Sequence, residues 1–445
     1  MLFPTIEFTI FALLSLTIWA TVEKVEKKIF LLILFNSIFY SFYNPAMLLY
    51  LLAWTFLIYL SAYFLKWRFI IIGFAILQLI FWKSVEAKFI TFNTFGTPLG
   101  ISFFTFQGLT YLFARMGVPK HKPEQHLTTN WSFLKTFAFI GFFPTVFSGP
   151  ILRAKYWEEQ LNNLTQITPR VFNYALTLIA LGFFYKVCLS SVFHDYVSLA
   201  FANPKEESSI NLLVGFYAYA FEIYHDFAGY SLMAIGVALL YGFKLPDNFK
   251  QPYLSINIRD FWQKWHISFS TWLRDYLYIS LGGSRVTQSR HLINSMIVMT
   301  ICGAWHGLND NYLIWGIMHG FAICLFHITK DKINLPKFIS WLITFHFVAI
   351  AWVFFRSPDA ITGYEYLSTL LTFKDFTFSL DYLPIFTLFV ICLLFQKIEP
   401  VILKENKEYK LLNSYFISII FWSLIFIGIL MISPSGMPPF IYFSY

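Results

Sequence analysis

Apolar residues fall in long runs that recur along the whole chain, separated by short segments holding most of the lysines and arginines. A helix that crosses a bilayer needs about 20 mostly apolar residues. Runs approaching that length stand near residues 5–22, 29–43, 46–65, 68–83, 99–114, 133–151, 171–191, 211–224, 228–243, 291–304, 311–328, 337–355, 383–397 and 412–432, and each predicts a helix. The polar stretches at about 115–132, 153–170 and 398–410 are too short to enclose a core of their own. The pattern therefore predicts an all-α polytopic membrane protein, with residues 1–445 forming a single multi-span domain.

Two stretches break the pattern. Residues 133–151 hold Gly141, Pro144, Gly149 and Pro150 inside an otherwise apolar run. Irregular backbone at membrane depth is tolerated only where protein or a watery cavity surrounds it, so this stretch reads as re-entrant. Residues 250–290 interleave Lys250, Arg259, Asp260, Lys264, Arg274, Asp275, Arg285 and Arg290 with Trp262, Trp265, Trp272, Tyr276 and Tyr278. That mixture suits helices lying at the headgroup level. The first run carries Glu7, lacks a basic leader and is followed by charged residues 23–28, so it reads as a retained helix rather than a secretory signal.

Composition sharpens the class. Of the 445 residues, 58% are hydrophobic and 13% charged, about half the charge of a soluble domain. The net charge of +8 is spread over many short loops, which points to anionic lipid headgroups and argues against nucleic acid. Cys188, Cys302, Cys324 and Cys392 are widely spaced in or beside apolar runs and form neither a zinc pattern nor a disulfide framework.

Ionisable groups at membrane depth are costly and mark pathways or sites. His306, in Cys302-Gly-Ala-Trp-His-Gly307, and His266, in Trp262-Gln-Lys-Trp-His-Ile-Ser268, are such groups. A histidine suits acyl transfer because the neutral ring accepts a hydroxyl proton near neutral pH; a second one can orient or stabilise an oxyanion. The alternative is a helix-bridging histidine bonded to a backbone carbonyl. Metal binding is disfavoured: His266 and His306 lie far apart, and neither HExxH nor paired cysteines occur. His319 reads as packing. Asp310 is one residue too close to His306 for a His-x4-Asp acyltransferase pair, and His225-Asp226 reads either as a helix-terminal hydrogen-bonding pair or as part of a channel. Lys264, Arg274 and Arg285 suit headgroup anchors as well as ligand phosphates.

Several motifs together resemble one family. Pro98-Leu-Gly-Ile-Ser-Phe-Phe-Thr-Phe-Gln107, Ser148-Gly-Pro-Ile151, Phe227-Ala-Gly-Tyr-Ser231, Asp260-Phe-Trp-Gln-Lys-Trp-His-Ile-Ser268, Ser270-Thr-Trp-Leu-Arg-Asp-Tyr276, Leu281-Gly-Gly-Ser-Arg285, Trp305-His-Gly307 and Trp352-Val-Phe-Phe-Arg356 are similar to the membrane-bound O-acyltransferases, most of all the bacterial branch that O-acetylates alginate and peptidoglycan. The resemblance covers about residues 95–360 and extends to the aromatic ending Pro438–Tyr445. Where relatives read Phe-Asp-Phe-Ser-Gly-Tyr-Ser-Asp, this chain reads His225 to Leu232, losing an acid and a hydroxyl; where they place an aromatic after the Asn that follows Trp-His-Gly, it has Asp310.

The resemblance implies a helical core with re-entrant and interfacial helices around a central funnel, His306 as the catalytic histidine and His266 as the second. Trp305, Asp226, Trp265, Arg274 and Ser268 are candidates for lining the channel or binding the donor. The resemblance further implies acetyl-CoA as donor substrate with no cofactor, a place in the bacterial cytoplasmic (inner) membrane among lipids, and a separate periplasmic SGNH or esterase-like transferase as partner. The C-terminal helices and aromatic tail, 380–445, end in Tyr442, which either relays the acyl group or belongs to a packing or partner-docking element. Rivals are D-alanyl transfer for teichoic acid, a lipid-linked sugar transporter with a histidine proton relay, and a noncatalytic envelope scaffold.

Overall fold

The structure is a computed structural model that describes residues 3, 5–90, 97–403 and 415–432; Tyr442 and the rest of the aromatic tail lie outside the described residues. All regular structure among the described residues is helical. In chain order the helices are α1 (Ile6–Ala20), α2 (Val25–Ser41), α3 (Pro45–Tyr63), α4 (Arg68–Glu86), α5 (Ile101–Arg115), α6 (Phe133–Ile140), α7 (Ala154–Asn162), α8 (Pro169–Phe184), α9 (Ser190–Ala202), α10 (Ser209–Leu240), α11 (Ile258–Lys264), α12 (Ile267–Trp272), α13 (Gln288–His306), α14 (Asp310–Thr329), α15 (Lys337–Arg356), α16 (Ala360–Leu371), α17 (Leu383–Ile402) and α18 (Tyr415–Ile432). Among the described residues, seven helical stretches are long and apolar enough to cross a membrane.

The chain's contacts divide it into two compact units: one from the described parts of Met1–Phe183, Tyr230–Asp247 and Glu405–Ile427, the other from those of Phe184–Gly229, Asn248–Lys404 and Gly428–Tyr445. In the first unit, α6 stops at Gly141 and the chain runs without regular structure to α7, almost wholly buried. Buried peptide groups need partners, and side chains supply them. Asn36 donates to the Ala138 carbonyl at 3.2 Å and accepts from the Phe143 N–H at 2.9 Å. Gln107 donates to the Phe139 carbonyl at 2.5 Å, and the Thr110 hydroxyl donates to the Leu152 carbonyl at 3.1 Å. Within the 133–151 stretch expected to be re-entrant, residues 133–140 are helical and 141–151 are not, and there polar side chains of α2 and α5 replace the helical ladder.

The runs at 211–224 and 228–243, expected as separate spans, form the single helix α10, so His225-Asp226 lies in mid-helix and not at a terminus. The charges there do not end the helix because each is met from outside it. Asp226 forms a buried ion pair with Lys186 and accepts from the Ser190 hydroxyl at 3.4 Å. Glu222 is 2.7 Å from His194 Nδ1. The run at 171–191 likewise continues beyond its expected end, through a π-helical turn at Tyr185–Leu189 into α9. That wider turn carries Lys186, whose ammonium meets Asp226.

In the second unit, α13 and α14 form an antiparallel pair whose backbones nearly touch. A β-carbon at Gly303 would come within 2.4 Å of the Tyr312 carbonyl oxygen and 3.2 Å of the Gly316 Cα, and one at Gly316 within 2.5 Å of the Met299 carbonyl oxygen. Only glycine permits this approach. All four cysteines are buried and unbonded to one another. Gly316→Val should force the pair apart at a cost of about 1–3 kcal/mol, read as a lowered thermal midpoint of the detergent-solubilised protein. Gly73→Ala in α4, where a β-carbon meets nothing within 4 Å, should leave that midpoint unchanged or higher.

Candidate active site

His306 is the last residue of α13, and the chain leaves the helix at Gly307 in an extended conformation. A β-carbon at Gly307 would lie 2.3 Å from the Tyr312 ring, so glycine is what lets α14 begin directly beneath the histidine. The His306 ring is 9% exposed and set edge-on against Trp315, with centroids 5.1 Å apart, and Phe355 at 4.9 Å. Its chain neighbour Trp305 lies 4.5 Å away. Asp310 is no acid partner here: its carboxylate accepts from the Asn311 and Ala360 backbone N–H groups at 2.8 and 3.1 Å.

His266 sits in the sharp link between α11 and α12. Its backbone is left-handed, φ 43° and ψ 54°, a conformation that costs about 1–3 kcal/mol for a residue with a side chain. Asn248 compensates. Its carbonyl accepts from the Ile267 N–H at 2.9 Å, and its side-chain oxygen accepts from the Ser268 N–H at 3.3 Å and the Ser268 hydroxyl at 2.9 Å. The His266 ring is 2% exposed, packed against Phe227 at 4.6 Å and Phe269 at 5.1 Å. Burial lowers its pKa to about 3, so the ring is neutral at physiological pH. Its Nε2 makes no hydrogen bond within the described protein.

Trp305 joins the two histidines. It lies 6.3 Å from His266 and 4.5 Å from His306, centroid to centroid, and packs at a tilt against Phe269 at 4.2 Å. Trp265 enters the same aromatic body through Trp352 at 5.0 Å, and Trp352 stacks on Trp315 at 5.6 Å. His319, expected as packing, belongs to it too. Its Nδ1 accepts from Trp262 Nε1 at 3.3 Å, it lies 4.8 Å from Trp315, and it is fully buried.

The other nominated residues part company here. Ser268 serves the Asn248 clamp. Asp226 is held by Lys186, although its neighbour Phe227 touches His266. Arg274, with about half its side chain exposed, bonds Asp275 at 2.9 Å. Asn248 and Trp315 shape the site without having been singled out in the sequence, and Phe355 does so having appeared only within the motif Trp352–Arg356. An asparagine before an aromatic, or a tryptophan in an apolar helix, carries no local signal of such a role. Among the described residues no three His, Cys, Asp or Glu side chains converge to hold a metal ion.

The arrangement supplies two histidines of different setting in one apolar, aromatic enclosure. Such a place strengthens electrostatic interactions with a reacting group and excludes water from it.

The chain is similar to several known proteins. The chain is 36% identical over 286 residues to the probable alginate O-acetylase AlgI of Pseudomonas putida, covering 63% of this chain and 57% of that protein. It is 34% identical over 298 residues to the peptidoglycan O-acetyltransferase of Helicobacter pylori, covering 62% and 56%. To the teichoic acid D-alanyltransferase of Bacillus subtilis it is 31% identical over 277 residues, covering 58% and 68%. The chain thus spans little more than half the length of the first two relatives. Residues 101–357, which take in Asp226, His266, Trp305 and His306, match the membrane-bound O-acyltransferase family. With more than half of the chain matched and seven helices able to cross a bilayer, this chain is a multi-pass membrane protein and belongs to the membrane-bound O-acyltransferase family.

Proposed function

We propose that the chain transfers an acyl group, acetyl from cytoplasmic acetyl-CoA, across the bacterial inner membrane for O-acetylation of a cell-envelope polysaccharide such as peptidoglycan or alginate. The observation that carries this reading is that His306 and His266 both pack against Trp305, in a chain related to two kinds of polysaccharide O-acetyltransferase.

In this mechanism neutral His306 takes the proton of an attacking hydroxyl as its oxygen adds to the thioester carbonyl. The carbon–sulfur bond then breaks, the proton passes from His306 to the leaving thiolate, and an ester and free CoA result. His266, neutral and with a buried Nε2 that makes no hydrogen bond, is placed to donate to the carbonyl oxygen as charge develops on it. Tyr442 is the proposed transient acyl carrier. A separate periplasmic esterase-like transferase then places the group on the glycan.

General-base help is worth about 10²–10⁴-fold in rate. His306→Ala protein in liposomes should therefore cleave radiolabelled acetyl-CoA at least a hundredfold more slowly than wild type, with an unchanged thermal midpoint. Label trapped on wild-type protein should map to Tyr442 and be lost in Tyr442→Phe; label persisting in that variant rejects the relay. Were wild type to leave acetyl-CoA intact but consume a D-alanyl carrier-protein thioester, the donor assignment would move to that of the teichoic acid relative. Loss of neither thioester would favour transport over catalysis.

Asn248 is a positioning residue in this scheme. Asn248→Ala should lower kcat about tenfold or more with a much smaller change in KM, because the loop loses its orientation and the protein keeps its surface. Equal losses in expression and in both constants would reduce Asn248 to a folding role.

A further inference from the structure

About 22 Å of helix, at about 1.5 Å per residue, separates His306 from His291 near the other end of α13. There a second group of polar side chains converges. Tyr278 Oη and His291 Nδ1 share a hydrogen bond of 2.5 Å, and the His291 and His327 rings meet edge to face with centroids 4.3 Å apart. Arg259 acts electrostatically on both Tyr278 and His327, Lys330 acts on His327, and the Ser284 hydroxyl reaches Tyr278. These residues come from α11, the π-helical turn Leu273–Tyr278, the loop before α13, and the facing ends of α13 and α14.

The loop is built for close approach. Gly282 and Gly283 have φ of 104° and 58°, a conformation that favours glycine. Asn294 Nδ2 holds it, reaching the Leu281 and Gly283 carbonyls at 3.0 and 3.4 Å. Exposed Arg259 and Lys330 thus act on a half-buried histidine pair that has hydroxyls and a glycine loop beside it. Both act on His327, and the positive field of the two cations attracts an anion. Arginine, imidazole and hydroxyl donors are also the groups that recognise phosphate.

We infer that Arg259, Tyr278, Ser284, His291, His327 and Lys330 form a binding site for a phosphoester anion. The ligand is either the phosphate end of a CoA-type donor or the headgroup of an anionic phospholipid. The first source rests on the acyl-transfer reading above: a phosphate held here leaves a pantetheine arm to carry the thioester along α13 toward His306. The second does not depend on that reading.

The test uses the full chain in nanodiscs. Radiolabelled CoA binding would be measured in phosphatidylcholine discs, and phosphatidylglycerol retention by native mass spectrometry from mixed discs. Wild type, Arg259→Gln, His327→Gln, Arg259→Lys and His306→Ala would be compared, each first shown to be monodisperse. We expect Arg259→Gln and His327→Gln to weaken one of the two ligands tenfold or more, Arg259→Lys to stay within about threefold of wild type, and His306→Ala to match wild type. Loss confined to CoA assigns the site to the donor, and loss confined to phosphatidylglycerol assigns it to lipid. Equal binding by wild type and both glutamine variants, or binding of neither ligand by wild type, overturns the site. The acyl-transfer reading stands or falls separately, on His306-dependent thioester cleavage.

Discussion

The near contact of α13 and α14 at Gly303 and Gly316 is the constraint on which the rest of the candidate site depends. With their backbones this close, the first turns of α14 lie directly under the end of α13, and Trp315 becomes the surface against which His306 is set. Trp315 in turn stacks on Trp352 of α15, and Trp352 meets Trp265 beside the left-handed link that carries His266. A side chain at either glycine would displace this series of rings as a body, since close-packed rings transmit a shift rather than absorb it. The geometry of two histidines 40 positions apart in sequence therefore rests on residues that have no side chain.

The two histidines reached this site by different sequence routes, and that governs how far each could be read in advance. His306 stood at the end of an apolar run, where an ionisable group is conspicuous. His266 stood among charged and aromatic residues of an interfacial stretch, where it is not, and family resemblance did more for it than pattern. Trp305, nominated with them, does join them. Asp226 drew notice for the same physical reason as His306, yet its charge is answered by Lys186 across the fold. A sequence shows that a buried charge must be answered, but not by what.

Helix existence was legible almost throughout, because the apolar runs are long. Boundaries failed where polar residues lie inside a helix that tertiary partners neutralise. His225 and Asp226 suggested a break between two spans, and α10 passes straight through them, with nearby Glu222 met by His194. The reverse held within 133–151, where glycines and prolines announced irregular backbone and residues 141–151 are irregular and buried after the short helix α6. The resemblance to the membrane-bound O-acyltransferases, placed at about 95–360, coincides with the family match at 101–357.

The same device appears in both compact units and explains how non-helical backbone survives in an apolar interior. In one, the Asn36 amide donates to Ala138 and accepts from Phe143 where α6 ends. In the other, Asn248 accepts from Ile267 and Ser268 where α11 turns into α12. A lipid-facing segment has only its own helical bonds to satisfy the peptide group, so a strained turn there would leave donors and acceptors bare. An asparagine buried beside the turn supplies the missing partners from a neighbouring strand of chain. That lets His266 keep a left-handed backbone with its ring aimed into the aromatic enclosure. The strain at His266 and the clamp at Asn248 are thus two halves of one arrangement, and the ring's position follows from the pair.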